Sequence, residues 1–220
     1  MRLRNVKNAR DKILNHPEHI LSIGRNERYL LNNAFKDKKP LVLEIGAGKG
    51  QFAHDLAKSH PEWNVIAIEK FDNVIVRALE KVLVEPLHNL YLVCMDASQL
   101  QACFYQQSVD RLYLNFSDPW PKIRHEKRRL THPDFLAIYK ALLKEDGQIA
   151  FKTDNRKLFE YSLMSMNAYG LQFVEVSLDL HKDNNSENIV TEFEERFSKQ
   201  GPIYKITATF KEDNDEANLR

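Results

Sequence analysis

Cysteine is scarce, with only Cys94 inside an apolar run and Cys103 beside Phe104. Two thiols so placed give neither a disulfide framework nor a cysteine zinc cluster, and both read as buried and reduced. His16 and His19, in the stretch NHPEH, have no cysteine or third histidine nearby, so no metal is expected. Long hydrophobic runs are missing too: nothing approaches the ~20 apolar residues that a membrane-spanning helix requires. The start, MRLRNVKNAR, lacks the apolar core of a signal peptide. These absences predict a cytoplasmic protein with no membrane partner. Charge of one sign is not in excess, since the formal net charge is +1, which excludes a chain coated uniformly with basic residues. Glycine is sparse, seven in 220 residues, so three of them within positions 46–50 stand out. Internal repeats and low-complexity segments are absent.

What is present is an alternation of short, β-rich apolar runs with longer amphipathic ones. PLVLEIG precedes QFAHDLAKS, NVIAIEK precedes NVIVRALEKVL, NLYLVCMD precedes SQLQACFYQQ, DRLYLNFSD precedes PDFLAIYKALLK, and GQIAFKTD precedes RKLFEYSLMSMNAYG. Strands apolar on both faces and separated by helices predict a parallel sheet covered on both sides, an α/β fold. LQFVEVSLDL and PIYKITATF read as two further strands, antiparallel at one edge. At this length a single domain over 1–220 is expected, burying roughly 70% of the surface its unfolded chain exposes. Residues 1–40 read as a basic arm and a short helix around Arg28 to Phe35 packed on that domain. The net-negative stretch 211–220 reads as a disordered tail.

Open parallel sheets bind ligands outside the carboxyl ends of their strands. There, Glu44 precedes the loop Gly46-Ala47-Gly48-Lys49-Gly50, and the next four runs end in Glu69, Asp96, Asp118 and Asp154. A dinucleotide fingerprint wants a glycine three positions after Gly48, where this chain has Gln51. A nicotinamide site is therefore disfavoured. The loop still suits close approach of a ligand at a helix N-terminus. Glu69 is placed to accept from ribose hydroxyls and Asp96 from an adenine amino group. Together these groups describe an adenosine without a pyrophosphate, for which S-adenosylmethionine is the commonest cofactor. The plainer alternative is that the glycines only permit a tight turn.

The stretch NFSDPWPKIRHEKRRL adds a carboxylate, Asp118, at the fourth strand tip, beside where a transferable methyl would lie. Pro119 and Pro121 stiffen the backbone around it. Trp120 reads either as a core plug or as a platform for an unpaired base. Lys122, Arg124, Lys127, Arg128 and Arg129 against Glu126, with His125 neutral, make a local +4, matched by another +4 in residues 1–12. Alone, such a run is an ordinary solvated helix start; directly after a candidate active-site loop it becomes a clamp for phosphates. Thr191-Glu192-Phe193-Glu194 has the pattern of a capping box, so NIVTEFEERFSKQG reads as a short helix ending at Gly201-Pro202.

LEIGAGKG, IAIEK, NFSDPWPKIRHEKRRL, FKTDN and TEFEERF together resemble the bacterial tRNA (guanine-N7-)-methyltransferase family over nearly the whole chain, without departure in these motifs. The resemblance implies a Rossmann-like class I methyltransferase fold with a seven-stranded sheet, S-adenosylmethionine as cofactor, and a guanine in the tRNA variable loop as target. It implies a cofactor site of Glu44, Gly46, Gly48, Glu69, Asp96 and Asp118, with Asp118 catalytic. It also implies substrate contacts at Lys122, Asp154, Thr191, Glu192, Phe193 and Glu194, and RNA contacts at Arg124, His125, Glu126, Lys127, Arg128 and Arg129. Monomer and homodimer both remain open. Two other readings compete: methylation of an exocyclic amino group, which DPWP matches imperfectly, and an RNA-binding module that has kept the fold without catalysis.

Overall fold

The computed structural model describes residues 6–21, 31–183 and 188–211. Its framework is one eight-stranded sheet: β1 (Ile20–Leu21), β2 (Leu41–Ile45), β3 (Asn64–Glu69), β4 (Leu90–Cys94), β5 (Val109–Asn115), β6 (Leu143–Thr153), β7 (Leu171–Ser177) and β8 (Tyr204–Phe210). Their spatial order is β1-β4-β3-β2-β5-β6-β8-β7. Every pairing from β1 to β6 is parallel, and β8 runs antiparallel between β6 and β7. All residues of β2 and β3 are buried, as expected of central parallel strands whose two faces are both covered.

Alternation along these strands separates two cores. Leu43, Ile45, Ile66, Ile68, Leu112 and Leu114 point to one face, where α5 (Pro133–Leu142) and α6 (Arg156–Ala168) supply Leu136, Tyr139, Leu158 and Phe159. Val42, Val65, Ala67 and Leu92 point to the other, against α2 (Gln51–Ser59) and α3 (Asp72–Val84). The close seam between α2 and α3 depends on Gly50, where a Cβ atom would lie 2.6 Å from that of Ala78. Glu44 shares the parity of Val42, so a carboxylate is directed into the face occupied by α2.

The N-terminal arm is built further into the fold than its composition predicts. A helix α1 (Ala9–Leu14) packs on α3 with Ile13 buried, and Ile20–Leu21 adds an eighth, parallel strand beside β4. The family resemblance implied only seven strands; a two-residue strand carries too little pattern to be read from sequence. Of the helix expected around Arg28 to Phe35, Leu31–Ala34 forms a 3₁₀ turn and positions 28–30 lie outside the described residues. SQLQACFYQQ gives a 3₁₀ turn (Ala97–Gln99) and a single α-helical turn, α4 (Leu100–Cys103), rather than a full helix. The tail expected to be disordered lies, beyond Lys211, outside the described residues. Among the described residues no helix is long and apolar enough to cross a membrane.

The chain leaves β2 toward β3 and β4, then returns to the opposite side of β2 with β5. Helices connected to β2 and β5 therefore depart in opposite directions, and a crevice opens between the carboxyl ends of these two strands.

Candidate active site

The glycine loop closes this crevice from below. Gly46 and Ala47 N–H both donate to Ile68 O, at 2.8 and 2.9 Å, which folds the loop back over the tip of β3. Gly46, Gly48 and Gly50 take φ values of 77°, 59° and 74°, a region that side-chain-bearing residues rarely enter. Glu69 ties the loop in place: its two carboxylate oxygens accept from Gly48 N–H at 3.1 Å and Phe71 N–H at 3.0 Å. Burial pushes the Glu69 pKa up, and the negative charge of Asp118 adds to that.

Above the loop lies a cavity of about 590 Å³ lined by Glu44, Gly48, Phe52, Asn115 and Phe116, and closed by Thr191, Glu192, Phe193, Arg196 and Phe197. That volume suits a ligand of cofactor size. Asn115 Nδ2 donates to Glu44 Oε1 at 3.0 Å, yet buried Glu44 Oε2 and Asn115 Oδ1 have no well-formed hydrogen-bond partner. Buried acceptors without a donor are costly. These two match a ligand group that is both a multiple donor and a cation. Burial raises the Glu44 pKa to about 7, against the hydrogen bond from Asn115 and the nearby Lys152 charge.

The remaining carboxylates stand on the same rim, because β3, β4, β5 and β6 are parallel and end at one edge of the sheet. None of Glu69, Asp96, Asp118 and Asp154 is among the residues that line the cavity. Asp96 accepts from Ser98 N–H at 2.9 Å and pairs with Lys70 at 2.6 Å. Burial opposes its ionisation, but these two partners hold its pKa below the usual range. Asp118 and Asp154 are exposed just beyond the β5 and β6 tips.

Beyond Asp118 the chain makes a 3₁₀ helix over Ile123–Arg128. Lys122, Arg124, Lys127 and Arg128 are exposed, while His125, Glu126 and Arg129 are partly covered. The Trp120 ring meets His125 edge-on at 5.7 Å and carries the Arg128 guanidinium at 4.8 Å.

α7 (Glu192–Phe197) covers the cavity and starts with the expected capping box: Thr191 Oγ1 accepts from Glu194 N–H at 2.9 Å, and the Glu194 carboxylate accepts from Thr191 N–H. Glu192 pairs with Lys49 of the glycine loop at 3.1 Å and with Lys81 of α3. Phe193 packs between Phe116 at 4.9 Å and Phe197 at 4.1 Å.

Sequence reasoning passed over Lys152, although the motif FKTDN contains it. Lys152 is 4% exposed and Glu194 0%. Lys152 Nζ reaches Glu194 Oε2 at 2.7 Å and Ile189 O at 2.9 Å, while Asn188 Nδ2 reaches Glu194 Oε1 at 2.7 Å and His181 Nε2 lies 3.0 Å from that oxygen. Burial draws the Lys152 pKa down; Lys152 in turn overcomes the burial of Glu194 and holds that carboxylate low. Several donors on one carboxylate favour its ionised form. Both oxygens of Glu194 are thus occupied within the protein, whereas Glu192 and Phe193 are exposed at the cavity rim. A charged residue directly after the apolar run Ile149–Phe151 was the available signal.

The fold and crevice place the molecule in the class I methyltransferase fold. It superposes on the 16S rRNA methyltransferase KamB with TM-score 0.62 at 13% identity, covering 87% of this chain and 99% of that one. A 16S rRNA (adenine(1408)-N(1))-methyltransferase with cosubstrate SAM from Catenulisporales acidiphilia superposes with TM-score 0.57 at 17% identity, over 80% and 88%. The family model described as "Putative methyltransferase" matches residues 38–206. A tRNA (guanine-N(7)-)-methyltransferase of Lactiplantibacillus plantarum is 52% identical over 96% of this chain and 99% of its own length, and that of Staphylococcus carnosus is 46% identical over 96% and 100%. This chain belongs to the bacterial tRNA (guanine-N7-)-methyltransferase family.

Replacing Lys152 with Met leaves Glu194 charged and unpaired in the interior, and about 3 to 5 kcal/mol of stability is expected to go with it; denaturant unfolding of Lys152→Met measures it. For Glu44 the folded pKa of about 7 lies above the ordinary carboxylate value of 4.5. Its contribution to ligand-free stability is therefore full below about pH 4.5 and is lost as pH rises through 7, by roughly 3 kcal/mol in all. Glu44→Gln should remove this component, so wild type should lose stability relative to Glu44→Gln between pH 5 and pH 8 in thermal unfolding.

Proposed function

We propose that this protein methylates the N7 atom of a guanine in the variable loop of tRNA, using S-adenosylmethionine, in the cytoplasm. The observation that carries this reading is the cavity at the β2–β5 crevice, in which Glu44 Oε2 and Asn115 Oδ1 are buried acceptors awaiting donors. The methionyl ammonium is such a donor group, and its positive charge offsets the negative charge of an ionised Glu44. Glu69, with lone pairs beyond the two used by Gly48 and Phe71, and Asp96 on the neighbouring tip would hold the adenosyl end. Gly46 and Gly48 let the backbone approach it. When bound, S-adenosylmethionine supplies a methyl group on a positively charged sulfur.

The protein's task is then alignment. Guanine N7 has an in-plane lone pair and no proton, so no residue has to serve as a general base, and Asp118 is not one. Holding two reactants in line removes about 7 to 11 kcal/mol of barrier when the fit is good. Asp118 and Asp154 flank the crevice mouth as carboxylates. There they accept from the guanine N1–H and 2-amino group, which adenine lacks, and oppose the positive charge that the base gains. Phe193 and Phe116 provide a stacking surface. Thr191 and Glu194 serve this surface indirectly: the capping box and the ion pair to Lys152 fix α7, while Glu192 fastens its first turn to Lys49 and Lys81. Lys122, Arg124, His125, Lys127 and Arg128 present cationic and donor groups to tRNA phosphates, with Glu126 among them shaping the turn.

Asp118→Ala should lower single-turnover methylation of unmodified tRNA by at least about a hundredfold while leaving tRNA affinity nearly intact. Mass spectrometry of the digested wild-type product should find 7-methylguanosine. Full activity in the variant, or methyl on another atom, contradicts the assignment.

A further inference from the structure

We propose that Arg129 is a positioning residue: its guanidinium braces the Asp118 loop and makes no contact with RNA phosphate. The inference rests on the role just given to Asp118. The two carbonyls that follow Asp118 both accept from Arg129, Pro119 O from Nε at 3.2 Å and Trp120 O from Nη2 at 3.1 Å. The face of the same guanidinium lies 4.2 Å from the ring of Tyr161 on α6. Two edge donors and the planar face are thus engaged inside the protein, which sets Arg129 apart from the exposed Arg124, Lys127 and Arg128.

The loop needs such a brace. Phe116 and Trp120 adopt φ values of 49° and 41°, a left-handed region where bulky side chains are strained and persist only if their surroundings hold them. Pro119 and Pro121 remove two backbone donors, leaving the carbonyls as the handles by which the segment is gripped. The anchor is itself fixed. Two residues on, Thr131 Oγ1 hydrogen-bonds Ser162 Oγ at 2.8 Å, and Ser165 Oγ donates to Thr131 O at 2.7 Å, both buried on α6. Between them, Leu130 lies 3.9 Å from where a Cβ of Gly46 would be. Arg129 therefore sits where the cofactor loop, α6 and the Asp118 loop meet. Lysine, a point charge on a flexible stem, does not reproduce a fork that bonds twice and stacks.

The chain has two tryptophans, Trp63 and Trp120, so a Trp63→Phe background leaves Trp120 as the sole reporter of the loop. In that background Arg129→Lys and Arg129→Ala are compared for Trp120 emission and acrylamide quenching, single-turnover methylation, and the salt dependence of tRNA binding. Both variants should shift the emission to the red and raise quenching at least about twofold. Methyl transfer should slow by about a hundredfold, as a displacement of ~1 Å can do, with the salt slope unchanged. Arg129→Lys keeps the charge, so it tests the brace through emission and rate, and should Arg129→Ala not fold, Arg129→Gln supplies the salt slope. An unshifted emission, a slope reduced by about 0.7 to 0.9, or an undiminished rate while Asp118→Ala is inactive overturns the proposal. Failure of the Asp118 role looks different: Asp118→Ala stays active while the Arg129 variants still release Trp120.

Discussion

Parallel hydrogen bonding of β2 to both β3 and β5 is the constraint from which the site follows. Glu44 pairs in register with Ala67 on one side and Tyr113 on the other, so the tips of three strands are level. The connections leaving them carry a glycine loop, an acid tie and the Asp118 loop to the same edge. A shift of one residue in either ladder would turn Glu44 into the opposite core and point an apolar side chain at the cavity. Strand register is thus part of the chemistry.

Gathering carboxylates at one edge sets up an electrostatic strain that the structure answers unevenly. Glu69 is held by backbone N–H groups and Asp96 by Lys70, while Glu194 is held by Lys152. Asp118 and Asp154 stay in contact with water. Among the described carboxylates Glu44 is the one buried with an oxygen lacking a well-formed partner, and burial raises its pKa. A cation bound beside Glu44 would favour its ionised form, so such binding would be coupled to the ionisation of this one group. Lys152 lies between the two systems: it pairs with Glu194, faces the Phe52 ring at 5.2 Å, and lowers the Glu44 pKa.

Much of this was legible in the residues. Apolar runs separated by amphipathic ones define the parallel sheet, since β2 and β3 are buried on both faces and tolerate no alternation. The strand-end acids Glu69, Asp96, Asp118 and Asp154 follow from that pattern, and the capping box at Thr191 follows from its own four residues. Tertiary partners were not legible. Nothing local in FKTDN says that Lys152 will meet a carboxylate 42 residues later, and a run of five basic residues does not reveal that Arg129 turns inward while its neighbours face solvent. Ile20–Leu21 joins the sheet because β4 offers an open edge, a property of the assembled core. The pairing of Glu44 with Asn115, 71 residues apart, likewise exists only once β2 and β5 are neighbours.

The central claim is that the β2–β5 crevice holds the cofactor through the buried acceptors Glu44 and Asn115. Calorimetric titration of S-adenosylmethionine into wild-type protein and Glu44→Gln, without RNA, tests it most directly. Loss of a charge-assisted hydrogen bond worth about 1.5 to 3 kcal/mol predicts affinity weakened by roughly ten- to a hundredfold in the variant. Equal affinity in the two proteins would place the cofactor elsewhere and contradict the account.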